Sequence, residues 1–94
     1  MIIKIHKTKY STLVAICDEK LIGKIIEDKN IKINLSERFY KGEEIPEKRV
    51  VEILKDADSI NLVGRKAVET GLKADVIKKE NIKKIKDIPF AISV

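Results

Sequence analysis

The chain predicts an α+β domain: a small, mostly antiparallel sheet, opened by an N-terminal β-hairpin, with two consecutive helices covering one face. Three observations predict it. Short β-branched runs open the chain at 2–6 and 10–17. An amphipathic pattern follows Pro46, with Val50, Ile53, Leu54 and Ala57 recurring at helical spacing. Short β-type segments then return at 82–85 and 90–94. With 94 residues, the chain reads as a single domain, 1–94, able to bury one modest core.

Taken in order, Ile2 to His6 reads as a strand, Lys7-Thr8-Lys9 as a turn, and Tyr10 to Cys17 as the partner strand of the hairpin. The run from Leu13 to Cys17 is apolar on both faces, as a central strand requires. Asp18 reads as an N-cap, Glu19 suits a first turn and Gly23 a stop, giving one or two helical turns. Ile31 to Leu35 alternates strictly, predicting a half-buried strand, and Ser36 to Gly42 reads as a capped short turn of helix. Pro46 suits a first helical position, and the helix runs to about Ala57. Asp58 and Ser59 break it and cap a second helix, whose buried stripe is Ile60, Val63, Ala67 and Val68. Gly71 followed by Leu72 resembles a Schellman ending. Segments 82–85 and 90–94, around Pro89, supply the last strands.

Composition narrows the function classes. The 44% apolar and 37% charged content is globular rather than disordered. No run approaches the roughly 18 apolar residues of a membrane span, and Lys4, His6, Lys7 and Lys9 interrupt any signal-peptide core. The lone Cys17 excludes an internal disulfide framework. Together these features predict a cytoplasmic protein. The absence of Gln and Trp beside abundant Lys, Glu and Ile fits a thermophile, and equally an AT-rich genome.

The net charge of +5 is uneven. Most of the excess lies in 73–86, where Lys73, Lys78, Lys79, Lys83, Lys84 and Lys86 stand against Asp75 and Glu80. Such a segment suits a polyanion, or is simply a solvated lysine face.

Three segments carry a resemblance: Cys17 to Lys24 (CDEKLIGK), Phe39 to Glu43 (FYKGE), and Asn61 to Gly64 with Ala67-Val68-Glu69. On them the chain resembles the small archaeal family catalogued as domain of unknown function 424, over nearly its whole length. The resemblance implies a cytoplasmic single-domain archaeal protein with no assigned activity. It transfers no functional residue.

Catalytic and metal chemistry find little support. His6, Cys17, Asp18 and Glu19 have ligand types, yet one His and one Cys do not close a zinc site. Cys17 closes an apolar strand, which points to packing rather than nucleophilic chemistry. The adjacent pairs Asp18-Glu19, Glu27-Asp28 and Glu43-Glu44 do not face one another on a regular element. No enzyme, metal or cofactor is predicted.

Two groups are anion candidates. Gly64, Arg65 and Lys66 sit in the expected helix's opening turn, where free N–H groups and the helix dipole favour an anion. Gly64 can equally serve close packing. Arg38, Tyr40 and Lys41 combine an aromatic ring with cations, as single-strand binders do. No aromatic RNP strand and no Gly-x-x-Gly loop occurs. The expectation is a non-catalytic module contacting RNA or a ribonucleoprotein through phosphates, with Lys78, Lys79, Lys83, Lys84 and Lys86 assisting. The alternative is a protein-interaction module or homodimer joined through the apolar segment Ile88 to Val94.

Overall fold

In the computed structural model, which describes residues 1–93, strands β1 (Ile2–Lys7) and β2 (Thr12–Cys17) form the expected hairpin. A single 3-10 turn, Glu19–Leu21, leads to a second hairpin, β3 (Ile25–Asp28) and β4 (Ile31–Asn34). Then come α1 (Glu37–Tyr40), the two-residue β5 (Glu43–Glu44), α2 (Glu47–Lys55), β6 (Ser59–Val63) and α3 (Arg65–Lys73). A 3-10 turn at Lys79–Asn81 precedes β7 (Lys83–Ile85) and β8 (Ile88–Ser93). The main sheet has the order β5-β1-β2-β6-β8-β7, and every pairing is antiparallel except β2 with β6. This is the predicted α+β class with a mostly antiparallel sheet.

The sheet is covered on both faces, and β2 near its centre is apolar on both. Val14 and Ile16 of β2, Ile60 and Leu62 of β6, and Ala91 of β8 meet Val50 and Leu54 of α2 and Ala67 and Val68 of α3. On the other face Ala15, Cys17, Val63 and Ile85 meet Ile26 of β3, Leu35, and Tyr40 of α1. The two larger helices therefore lie on one side, as expected. The small hairpin and α1 cover the other side, a layer that sequence periodicity did not reveal.

The main correction concerns 59–63. Ser59 does not cap a helix: Ser59–Val63 is a strand, and α3 starts only after Gly64. The two large helices are thus separated by a central strand. Ile60, Val63, Ala67 and Val68 mimic a helical stripe across the break, while Val63 is buried on the face opposite the other three. A five-residue strand offers too few residues for its two-residue alternation to outweigh a helical spacing that continues into the next element. Gly71 does not end α3. The helix passes through it to Lys73, and a Cβ at Gly71 would overlap Leu62, so this glycine lets the helix approach the sheet closely.

Segment 25–28, unassigned from sequence, is β3. The final strand starts at Ile88 rather than Phe90, and the last residue of the predicted 90–94 segment lies outside the described residues. The expected Ser36 cap holds, its hydroxyl accepting from the Phe39 N–H, whereas Pro46 is the extended N-cap of α2 rather than its first helical residue, and α2 ends at Lys55 rather than near Ala57.

Candidate functional site

The neighbouring strands β2 and β6 run parallel and end side by side at Cys17 and Val63. The chain leaves both ends at the same place, through Asp18 and Gly64. In open α/β sheets ligands bind outside the carboxyl ends of parallel strands, where departing loops separate, and the single parallel pair of this sheet reproduces that arrangement locally. Here a cleft of about 410 Å³ opens at that place. Its apolar lining comes from Leu21, Ile88 and Pro89, and its cations are Lys20, Arg65 and Lys66. Asp18, Glu19 and Asp87 add carboxylates.

Asp18 organises this end of the molecule. Its carboxylate accepts from the Lys66 N–H (3.0 Å) and the Ala67 N–H (2.9 Å), capping α3 from a different segment of the chain. Its own backbone N–H donates to the Val63 carbonyl at 3.0 Å, extending the β2–β6 ladder by one bond. The expected role of Asp18 as cap of the following turn is corrected, because no side-chain cap bond forms there. A free pair of first-turn N–H groups open to an external anion is likewise absent: Asp18 already holds them.

Gly64 makes the junction possible. Its φ of 107° and ψ of 160° fall in a region essentially restricted to glycine, and a Cβ there would overlap the Asp18 carboxyl group. Its N–H donates to the Pro89 carbonyl at 2.8 Å, tying the β6 exit to β8. A second unusual backbone lies on the same rim. The turn joining β7 to β8 consists of Lys86 and Asp87, both at positive φ (48° and 65°), the geometry of a two-residue type I′ turn built without glycine.

The predicted cations divide between places. Arg65 and Lys66 are exposed at the cleft and make no ion pair among the described residues. Lys84 pairs in register with Pro89, and alternation puts it on the α3 side of the sheet, with Lys86 next in the turn. Lys83, one residue away, belongs to the opposite face. Lys73 ends α3 and pairs with Glu47 at 3.0 Å; Lys78 and Lys79 follow in the connection to β7, beyond the helix end remote from the cleft. The 73–86 lysines therefore do not form one face.

Arg38 lies within α1 and Lys41 follows it, on the side of the sheet away from α3, and Lys41 pairs with Glu37 at 3.3 Å. Tyr40 is corrected as a stacking platform. It is only 4% exposed, and its hydroxyl donates to Asn61 Oδ1 at 2.8 Å. Burial pushes its phenol up to about 12. The aromatic ring is core.

His6 and Cys17 do not meet as a catalytic pair. His6 lies opposite Leu13, four residues along β2 from Cys17. Its Nε2 donates to the Phe39 carbonyl at 2.9 Å, and its ring stacks on Phe39 with centroids 4.5 Å apart. Cys17 is 2% exposed, and burial, reinforced by the neighbouring Asp18 charge, pushes its thiol up to about 12. A protonated, enclosed thiol is a poor nucleophile. Among the described residues, no group of three His, Cys, Asp or Glu side chains is arranged to hold a metal ion. No helix among them is long and apolar enough to cross a membrane.

A family model described as "Protein of unknown function (DUF424)" matches residues 6–94. The chain belongs to the DUF424 family. It is also similar in fold to the crystal structure of an uncharacterized conserved protein from Methanopyrus kandleri. The TM-score is 0.83 at 24% identity, over 98% of this chain and 88% of that one. No curated protein matches the chain. Two segments carrying the DUF424 resemblance, 17–24 and 61–69, thus converge on one structural unit: Asp18 capping α3 across Gly64.

Sequence reasoning missed Lys20, Leu21, Asp87, Ile88 and Pro89 as neighbours of Arg65. The one usable signal was the pair of segments 17–24 and 61–69, and only the parallel pairing of β2 with β6 brings them together.

Proposed function

We propose that this DUF424 protein is a non-catalytic module that contacts RNA, free or within a ribonucleoprotein, through phosphates at the cleft rim. One observation carries the reading: Arg65 and Lys66 stand exposed and unpaired at the cleft, among the described residues, with Lys84 and Lys86 on the adjoining strand and turn. Four cations at one end of a small domain can neutralise several phosphates without reading bases. The buried Cys17 and committed His6 support the non-catalytic part of the reading.

Filter binding of mixed-sequence RNA tests it. Retention is expected at low salt, with a log-log salt slope of about −3 if all four cations release counterions from single strands. Arg65→Glu with Lys66→Glu should abolish retention. No retention by the unaltered protein, or no loss in the double variant, refutes the reading.

One observation favours a protein partner instead. Strand β7 pairs with Ile88–Phe90, so among the described residues Ala91–Ser93 have no strand partner on that side, and Ile92 is 60% exposed. A homodimer formed there predicts a doubled mass in light scattering, which Ile92→Lys returns to the monomer. A monomeric mass for the unaltered chain removes the dimer.

A further inference from the structure

We propose that the cleft between the ends of β2 and β6 receives the base of an unpaired ribonucleotide, so that the module selects single-stranded over duplex RNA. This rests on the RNA reading above and adds a pocket to what was a charged rim. The cleft, at about 410 Å³, falls within the range of about 300–1,000 Å³ typical of small-molecule sites.

Its parts are arranged in the order a nucleotide requires. Leu21, Ile88 and Pro89 provide an apolar surface for the flat face of a base, while Arg65 and Lys66 provide cations for the attached phosphate. The Lys66 and Ala67 N–H groups are already held by Asp18, so the phosphate is recognised by side chains and not by the helix terminus. The remaining carboxylates, Glu19 and Asp87, oppose a purely anionic ligand. They suit one that also carries donors, because a carboxylate accepts from the exocyclic amino group of a base or from a ribose hydroxyl. A ligand with an apolar face, a negative charge and N–H or O–H donors satisfies all three sets of groups; a nucleotide has each of them. Bases in a duplex are stacked and turned inward, whereas an unpaired base can leave the strand and enter such a cleft.

The test combines two measurements on the intact chain. In the first, amide spectra are titrated with ribonucleoside monophosphates and, separately, with ribose 5-phosphate, which lacks a base. The nucleotides are expected to shift Leu21, Gly64 and Ile88, and ribose 5-phosphate only the Arg65–Lys66 amides. In the second, fluorescence anisotropy compares single-stranded and duplex RNA of equal length at equal salt. Single strands should bind about tenfold more tightly, equivalent to about 1.4 kcal/mol. Glu19→Gln with Asp87→Asn, exposed positions of which Asp87, at positive φ, tolerates Asn, should narrow that preference without weakening duplex binding.

RNA binding with no strand preference and no nucleotide-induced shift at Leu21, Gly64 or Ile88 overturns the pocket and leaves the RNA reading standing. Nucleotide shifts without RNA retention support the pocket and overturn the RNA reading. If neither occurs, both fall.

Discussion

Replacing Asp18 by Ala should destabilise the fold far more than a half-buried carboxylate usually would. The side chain accepts two backbone N–H groups, at 3.0 and 2.9 Å, in the first turn of a nine-residue helix packed on the central sheet. Loss of an N-cap costs about 0.5–2 kcal/mol. The negative charge at the positive end of the helix adds about 0.3–1 kcal/mol. The two figures partly describe the same interaction, so about 2 kcal/mol is the expected total. For a domain of this size that corresponds to a fall in Tm of roughly 8–16 °C. Asp18→Asn keeps one acceptor and loses the charge, and should cost about half as much. Urea unfolding followed by circular dichroism measures both variants, with the midpoint moving at unchanged slope. A loss below about 0.5 kcal/mol in Asp18→Ala would refute the reasoning, because Asp18 would then not hold α3 to the end of β2.

Gly64→Ala places a Cβ against the Asp18 carboxyl and forces a non-glycine residue into a glycine-only conformation. A cost of about 2–4 kcal/mol is expected by thermal or urea unfolding, and a cost below about 1 kcal/mol would show that the junction relaxes freely. Cys17 gives an alkaline signature. Its thiol rises from 9.0 to about 12 in the folded chain, so above pH 9 the unfolded state releases a proton that the native state keeps. The contribution is intact below pH 9 and is lost as pH rises towards 12, at up to about 1.4 kcal/mol per pH unit. Between pH 8 and 10.5 the unaltered chain should therefore lose about 2 kcal/mol more than Cys17→Ala, and parallel stability profiles would contradict the burial of the thiol.

Local signals identified most elements correctly. The hairpin of β1 and β2 followed from β-branched runs around a polar turn, α1 from its Ser36 cap, and α2 from the spacing of apolar residues after Pro46. The failure at 59–63 has a definite physical origin. Ser59 to Leu62 does alternate, but the strand is only five residues long and Ile60 and Val63 also fall in helical spacing with Ala67 and Val68 of α3, so the two elements read as one stripe. Tyr40 misled for a similar reason. Its neighbours Arg38 and Lys41 are exposed, and only the approach of Asn61 from a distant strand gives its hydroxyl a buried partner.

The amino-acid order by itself determined the α+β class, the family and the basic character of the C-terminal half, because patterning, short motifs and charge are properties of neighbouring residues. Only the tertiary structure decided which residues share the cleft. Asp18 and Lys66 lie 48 positions apart and meet through the parallel register of Cys17 with Val63, a pairing that local sequence does not encode. The same packing separated Lys83 from Lys84, sent Tyr40 into the core, and filled the first turn of α3 with a carboxylate from the chain itself.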